Sequence, residues 1–349
     1  MKKFKIFAEE YNYYELLDED KKVKDPNSVT SGSGANADTK GKLHEILTGY
    51  HLLGGKHMSK HPDIDGDSPE EAHNKLKDKI SAEDYNHISN RAKEAAEDLR
   101  KQIEVGGHKV HDVHWTSKPG DIKRSTGIDS TQKQDASDIM VHTKRPGDKK
   151  STHTGVSLKV SDKTNKHVPV SNPGMESTYG AEHILEAHRE HLKEMFPELE
   201  NATNKESRKE AMKANPKMEE YVKAKNKEVM SDIATHLHSK LSSMSSEDLI
   251  NHVKTHVLQS HPTPLQQAGH GHIRHTTYVK KGQNAFHSVD PSTHYEHIFS
   301  NPENITIQKS GTSINFLHNG KKFASHRIKF TSQSDPLSGI KGTGTPAGD

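Results

Sequence analysis

Residues 135–160 decide how this chain is read: Asp135-Ala-Ser-Asp138-Ile-Met-Val-His142, a polar turn with Pro and Gly from Thr143 to Thr154, then Gly155-Val-Ser157-Leu-Lys159-Val160. Two short runs rich in β-branched and apolar residues, separated by turn formers, predict neighbouring strands over 138–142 and 155–160. Ser157 and Lys159 stand two apart on a strand and point to one face, while Leu158 goes to the other. An acid opening one strand and a lysine near the end of the next can meet on one side of a small sheet. The stretch therefore predicts a carboxylate, a hydroxyl and an ammonium in one place.

That set suits phosphodiester hydrolysis. A hard divalent cation needs oxygen ligands, which Asp138 and a second carboxylate can supply. The cation polarises the phosphate and activates a bound water. Lys159 can position that water or offset the charge gathering on phosphorus. Carboxylate and water ligands favour Mg2+, with Mn2+ as the alternative. Asp135, three residues before Asp138, is an alternative ligand that spacing leaves open.

With Ser137-Asp138 in place of Pro-Asp, and Ser157-Leu-Lys159 in place of (Asp/Glu)-x-Lys, the sequence resembles the PD-(D/E)xK nuclease superfamily. The resemblance spans roughly residues 36–190. It implies an α/β fold, a restriction-endonuclease-like central mixed sheet flanked by helices. It implies Asp138 and Lys159 as catalytic residues, with Glu45, in Gly41-Lys-Leu-His-Glu45-Ile-Leu, as the helical glutamate that completes the site. Serine at 157 departs from the pattern and removes a metal ligand. Members with this substitution recruit a carboxylate from a following helix, which points to Glu182, with Glu186 and Glu176 nearby. The implied activity is that of a Mg2+-dependent deoxyribonuclease, an endonuclease of phage origin. The alternatives are a nuclease-fold phage structural or DNA-packaging protein that binds DNA without cutting it, and a helical interaction protein with no site.

Outward from this core, Ser31-Gly-Ser-Gly-Ala35 belongs to an arm read as flexible over 1–35. Leu43, Ile46, Leu47 and Tyr50 predict a helix from about Asp38 to Leu53, stopped by Gly54-Gly55. Ser68-Pro-Glu-Glu and Ser81-Ala-Glu-Asp read as helix starts. In the second of these helices Tyr85, Ile88, Ala92, Ala95, Leu99 and Ile103 trace one core-facing stripe. A strand is expected over 110–116 and a helix over 179–195. Long charged helices are expected over 203–257, and strands from about Ile273, with Asn319-Gly320 a two-residue hairpin signal. The expected divisions are a nuclease-like core at 36–200, a helical insertion at 201–260, a basic β-rich region at 261–335 packing with the core, and a loose tail at 336–349.

The chain has 349 residues, of which 29% are apolar and 28% charged, so a lean core with solvated helices is expected. The formal charge of +2 decides nothing about a polyanionic partner, but its distribution does. Residues 268–330 hold eight Lys or Arg against three acids, a patch suited to phosphates. A loose similarity to the C-terminal pattern of phage-type nuclease-like proteins puts Arg327, Lys329 and Lys341 near nucleic acid, together with Lys321 and Lys322.

The expected partner is DNA; a homodimer stays open. No cysteine is present, which excludes thiolate chemistry and fits a reducing compartment. No signal peptide or membrane span is read, so a cytoplasmic location is expected, the host's if phage-encoded, with virion association open. Neither a Walker loop nor a dinucleotide fingerprint occurs, so no nucleotide cofactor is expected. Among 28 histidines, His183, His188 and His191, or His270, His272 and His275, are the best zinc candidates, but neither set has catalytic-zinc spacing.

Overall fold

A computed structural model describes residues 37–349 apart from 60–65, 119, 132–133, 163, 165 and 348–349. The arm at 1–35 lies outside the described residues. The chain forms two compact units, each built from two stretches of sequence. The first holds residues up to Lys166 plus Pro264–Val289; the second holds His167–Thr263 plus Asp290–Asp349.

The first unit opens with α1 (Ala37–Leu52), closed by Gly54 and Gly55 at positive φ, where a side chain would be strained. Next come α2 (Pro69–Lys77) and α3 (Ala82–Ile103). Ser68 and Glu71 cap α2 reciprocally through bonds of 3.1 and 2.7 Å, and Ser81 caps α3. These are the starts that the sequence predicts.

Strands β1 (Lys109–Trp115), β2 (Ile139–Lys144) and β3 (Thr152–Val160) form an antiparallel meander, with α4 (Asp121–Thr126) between β1 and β2. After the excursion into the second unit, β4 (Gly271–Lys280) returns parallel to β3, and β5 (Gln283–Val289) pairs antiparallel outside it. The result is a mixed five-stranded sheet in sequential order.

One face packs Val113, Ile139, Val141, Val156 and Leu158 against Ile46 and Leu52 of α1 and Leu99 and Ile103 of α3. The other face places Met140 against Ile122 of α4 and Leu265. Burying an aliphatic side chain of this kind stabilises by about 1.5–3 kcal/mol, so the two-sided cover fixes the strand register.

In the second unit, α5 (Met175–Tyr179) and α6 (Glu182–Met195) replace the single helix expected over 179–195. Gly180, at φ 69°, breaks them apart. Then come α7 (Lys205–Ala214), α8 (Pro216–Ser242) and α9 (Ser246–His252). Strands β6 (Ile305–Ser310), β7 (Ser313–His318), β8 (Lys321–Phe330) and β9 (Ile340–Pro346) make an antiparallel meander. Asn319 and Gly320, both at positive φ, make the β7–β8 hairpin. Ile233, Leu237 and Leu241 of α8 belong to one core with Ile314, Phe316, Ile328 and Phe330 of this sheet.

Two expectations about the C-terminal half are corrected. The region 261–335 is not one β-rich block: β4 and β5 complete the first sheet, while β6–β8 belong to another. The tail expected to be loose at 336–349 holds β9. Its glycines are there for close approach: a Cβ on Gly342 would lie 1.8 Å from His326 Nε2, and one on Gly344 2.1 Å from the Val257 carbonyl oxygen.

Candidate active site at the parting of two strands

The β2–β3 ladder runs from Thr143↔Thr152 to Ile139↔Val156, and Asp138 sits just beyond its end. Its backbone is pinned on both sides. The Asp138 N–H donates to Val156 O at 2.8 Å, and its carbonyl accepts from Thr116 N–H at 3.1 Å. The side chain then takes over where the strands part. Asp138 Oδ2 accepts from the Leu158 N–H at 2.7 Å, lies 3.2 Å from Lys159 Nζ, and stands 3.5 Å from Ser157 Oγ. The aspartate thus caps a ladder that would otherwise leave a strand N–H unmet. The same geometry brings the acid, hydroxyl and ammonium predicted from the sequence into one cluster.

Glu45 joins them from α1. Its neighbours Leu43, Ile46 and Leu47 are buried in the core, which anchors that face of the helix. Trp115, at the end of β1, donates its indole N–H to Glu45 Oε2 at 3.2 Å. Burial and then the nearby Asp138 carboxylate push the Glu45 carboxyl up to about 8, against smaller opposing effects of the Trp115 bond, Lys159 and Lys42. Its proton is therefore held well above the range of an ordinary carboxylic acid.

A second network holds the approach to Asp138. Asp135 is fully buried; its Oδ1 accepts from the Ser137 N–H at 3.0 Å and from the Ser137 hydroxyl, and lies 3.5 Å from His272 Nδ1. Burial raises the Asp135 carboxyl, but His272 and Ser137 outweigh it and the net shift is downward. Ser137 rests on Gly155, where a Cβ would come within 2.2 Å of its hydroxyl oxygen. Through Oδ1, Asp135 holds the loop that leads into Asp138.

The remaining predicted residues fall elsewhere. Glu182 is the exposed first residue of α6 in the second unit. Lys321 and Lys322 are exposed at the start of β8, and Arg327, Lys329 and Lys341 lie on the second sheet.

The zinc candidates are each engaged separately. His183 contacts Gly180 O, His188 Asn226, His191 Tyr221, His270 the His153 N–H, His272 Asp135 and His275 Asp98. A row of imidazoles, His114, His142, His153 and His270, crosses the first sheet with ring centroids 4.7, 4.4 and 4.6 Å apart.

Among the described residues, no group of three or more His, Asp or Glu side chains is arranged to hold a metal ion. Asp138 and Glu45 offer a pair of carboxylates, with Ser157 where a third acid is expected. Mg2+ commonly takes one or two carboxylates and keeps several waters, so these two are the residues that would hold one.

Two site neighbours escaped the sequence reading. Trp115 was legible only as the single tryptophan at a strand end; nothing in its spacing tied it to Glu45. Arg274, buried on β4, is the register partner of Ser157 in the parallel β3–β4 pair and so shares its face of the sheet. Only the topology reveals that neighbour, because the two strands are far apart in sequence.

No protein-family model, curated protein or solved structure matches this chain. Among the described residues, no helix is long and apolar enough to cross a membrane.

Proposed function

We propose that this protein hydrolyses DNA phosphodiester bonds with Mg2+, or Mn2+ in its place, as an endonuclease with a restriction-endonuclease-like core in its first unit. The observation that carries this reading is the Lys159 ammonium 3.2 Å from Asp138 Oδ2, beside a Glu45 carboxyl whose pKa Asp138 helps to raise. A bound cation supplies Lewis-acid polarisation of the phosphate and a more acidic water. Asp138 orients Lys159 through their ion pair, so the ammonium is aimed at charge developing on the phosphoryl oxygens. Asp138 and Glu45 would hold that cation, and Lys159 would position the attacking water, whose proton passes to solvent as its oxygen bonds to phosphorus. The P–O ester bond opposite breaks, and the leaving oxygen takes a proton from solvent, balancing the one released by the attacking water. Buried Arg274 stands on β4 next to Ser157 and adds a guanidinium suited to a phosphate.

The second reading, a nuclease-like phage structural or packaging protein that binds DNA without cutting, is favoured by one feature. Ser157, which stands where the pattern has an acid, brings no charge. A supercoiled-plasmid nicking assay with Mg2+, Mn2+ and EDTA separates the two. The hydrolase reading expects metal-dependent nicking that drops about 100-fold or more in Lys159→Ala, with DNA binding retained. Nicking unaffected by Lys159→Ala removes the lysine from the mechanism; binding without nicking in either metal selects the second reading.

A further inference from the structure

The second sheet has an unusual charge balance. Its four strands carry six Lys or Arg and no Asp or Glu. Strand alternation sorts them by face. Ile314, Phe316, Ala324, His326, Ile328 and Ile340 are buried on the side facing α8. Arg327, Lys329 and Lys341 take the opposite parity on β8 and β9, among the half-buried Ser313, Asn315 and Ser325, while Thr343 is buried and donates its hydroxyl to Asn172.

The register makes this a frustrated arrangement. Lys329 lies directly opposite Lys341 on the neighbouring strand, and Arg327 is two residues along on the same face. Like charges in a cross-strand pair destabilise a sheet. Burial, then Lys341 and Arg327, lower the pKa of Lys329. The acids flanking β9 are already committed: Glu176 contacts Arg189 and the Ile340 N–H, and Asp335 receives two bonds from Arg208. Among the described residues, none of these three clustered cations makes an ion pair, and their mutual repulsion costs the sheet stability.

We infer that this outer face docks the sugar-phosphate backbone of duplex DNA without reading its sequence. Phosphate oxygens supply the missing negative charge, and the hydroxyl and amide side chains around the cations suit backbone contacts. The phenylalanines of β7 and β8 are buried, so the cationic parity offers no aromatic ring for unstacked bases, which argues for a duplex over a single strand. The inference shares with the proposed function only the identity of the polymer, and it holds whether or not the Asp138 site cuts.

The test is fluorescence anisotropy of the full chain in EDTA, with a labelled duplex and its separated strand, between about 50 and 200 mM salt. In Lys329→Gln/Lys341→Gln the affinity for duplex should fall about tenfold at low salt, and the log–log salt slope should shrink by about 2. The same variant should melt at an unchanged or higher temperature, because a repulsive pair has been removed. Lys223→Gln/Lys227→Gln on α8 is the control for net charge and should leave the slope unchanged. Three results would each overturn the inference: an unaltered slope in the sheet variant, an equal loss in the control, or tighter binding to the single strand. A lowered melting temperature in the sheet variant would also overturn it, by making the cations structural; Lys341→Gln alone repeats the measurement should the double variant fold poorly. Because EDTA is present throughout, a protein that never nicks plasmid can still pass this test.

Discussion

Replacing Glu45 by glutamine should stabilise the metal-free protein at alkaline pH and leave it unchanged in acid. The folded carboxyl sits at about 8, and the reference value is 4.5. Below the lower value both folded and unfolded chains are protonated, so the residue adds no pH dependence. As pH rises from there to the folded pKa, the unfolded chain sheds a proton that the folded site retains, and stability is lost. At about 1.4 kcal/mol per pH unit the interval sets an upper limit of about 5 kcal/mol. Glu45 is only half-buried, solvent screens its repulsion with Asp138, and about 2 kcal/mol is the working figure at pH 8. Glutamine keeps an acceptor for the Trp115 indole but carries no charge, so it should escape this loss. Urea unfolding in EDTA, followed between about pH 5 and pH 8, should show the variant and wild type converging in acid and diverging steadily above it. Adding Mg2+ at pH 8 should then stabilise wild type and not the variant. A difference between the two proteins that stays constant across the whole pH range would refute the argument, because it would mean Glu45 titrates alike in folded and unfolded chains.

Gly155→Ala should cost about 1–3 kcal/mol by driving a methyl into the Ser137 hydroxyl, and Ser137→Gly should recover most of it; equal melting temperatures for wild type and Gly155→Ala would remove Ser137 as the obstacle. Burial is the leading cause that lowers His44 and His326 to about 3, and His142 and His252 to about 4, so acid should unfold this protein readily. The unfolded chain takes up protons below about 6.5 and these folded sites do not, so stability should fall as pH drops from there toward 4; a melting temperature that stays flat between about pH 7 and pH 5 would contradict this.

What the sequence made legible was local. The α1 helix, the two capping serines, the β2–β3 pair and the Asn319-Gly320 hairpin all rest on contacts within a few residues, where periodicity and turn chemistry act directly. Asp138 and Lys159 were legible for the same reason, being paired across one turn. Glu45 needed the superfamily resemblance, since nothing in helix periodicity points a glutamate at a distant strand. The break at Gly180 was hidden because Tyr179 and Leu185 carry the apolar pattern across it. Strand β9 was missed because Gly342-Thr-Gly-Thr-Pro346 lacks apolar alternation; its glycines answer to His326, Ser171 and Val257, which only the fold assembles around them. The parallel β3–β4 pairing left no trace in the sequence, and the partition of the C-terminal strands between two sheets followed it out of view.

That pairing sets the order in which a ribosome can complete the molecule. Strand β3 is made long before β4, since Lys159 must wait for Thr276 to lie beside it. At about 5–20 residues per second, the nascent β3 presents a bare edge for roughly 5–20 s. Through that interval the Asp138–Lys159 turn has been translated, but the strand carrying Arg274 has not. A chain that stops before β4 therefore holds a half-built sheet, and the Asp138–Lys159 cluster gains its last neighbouring strand only once Gly271–Lys280 has been made.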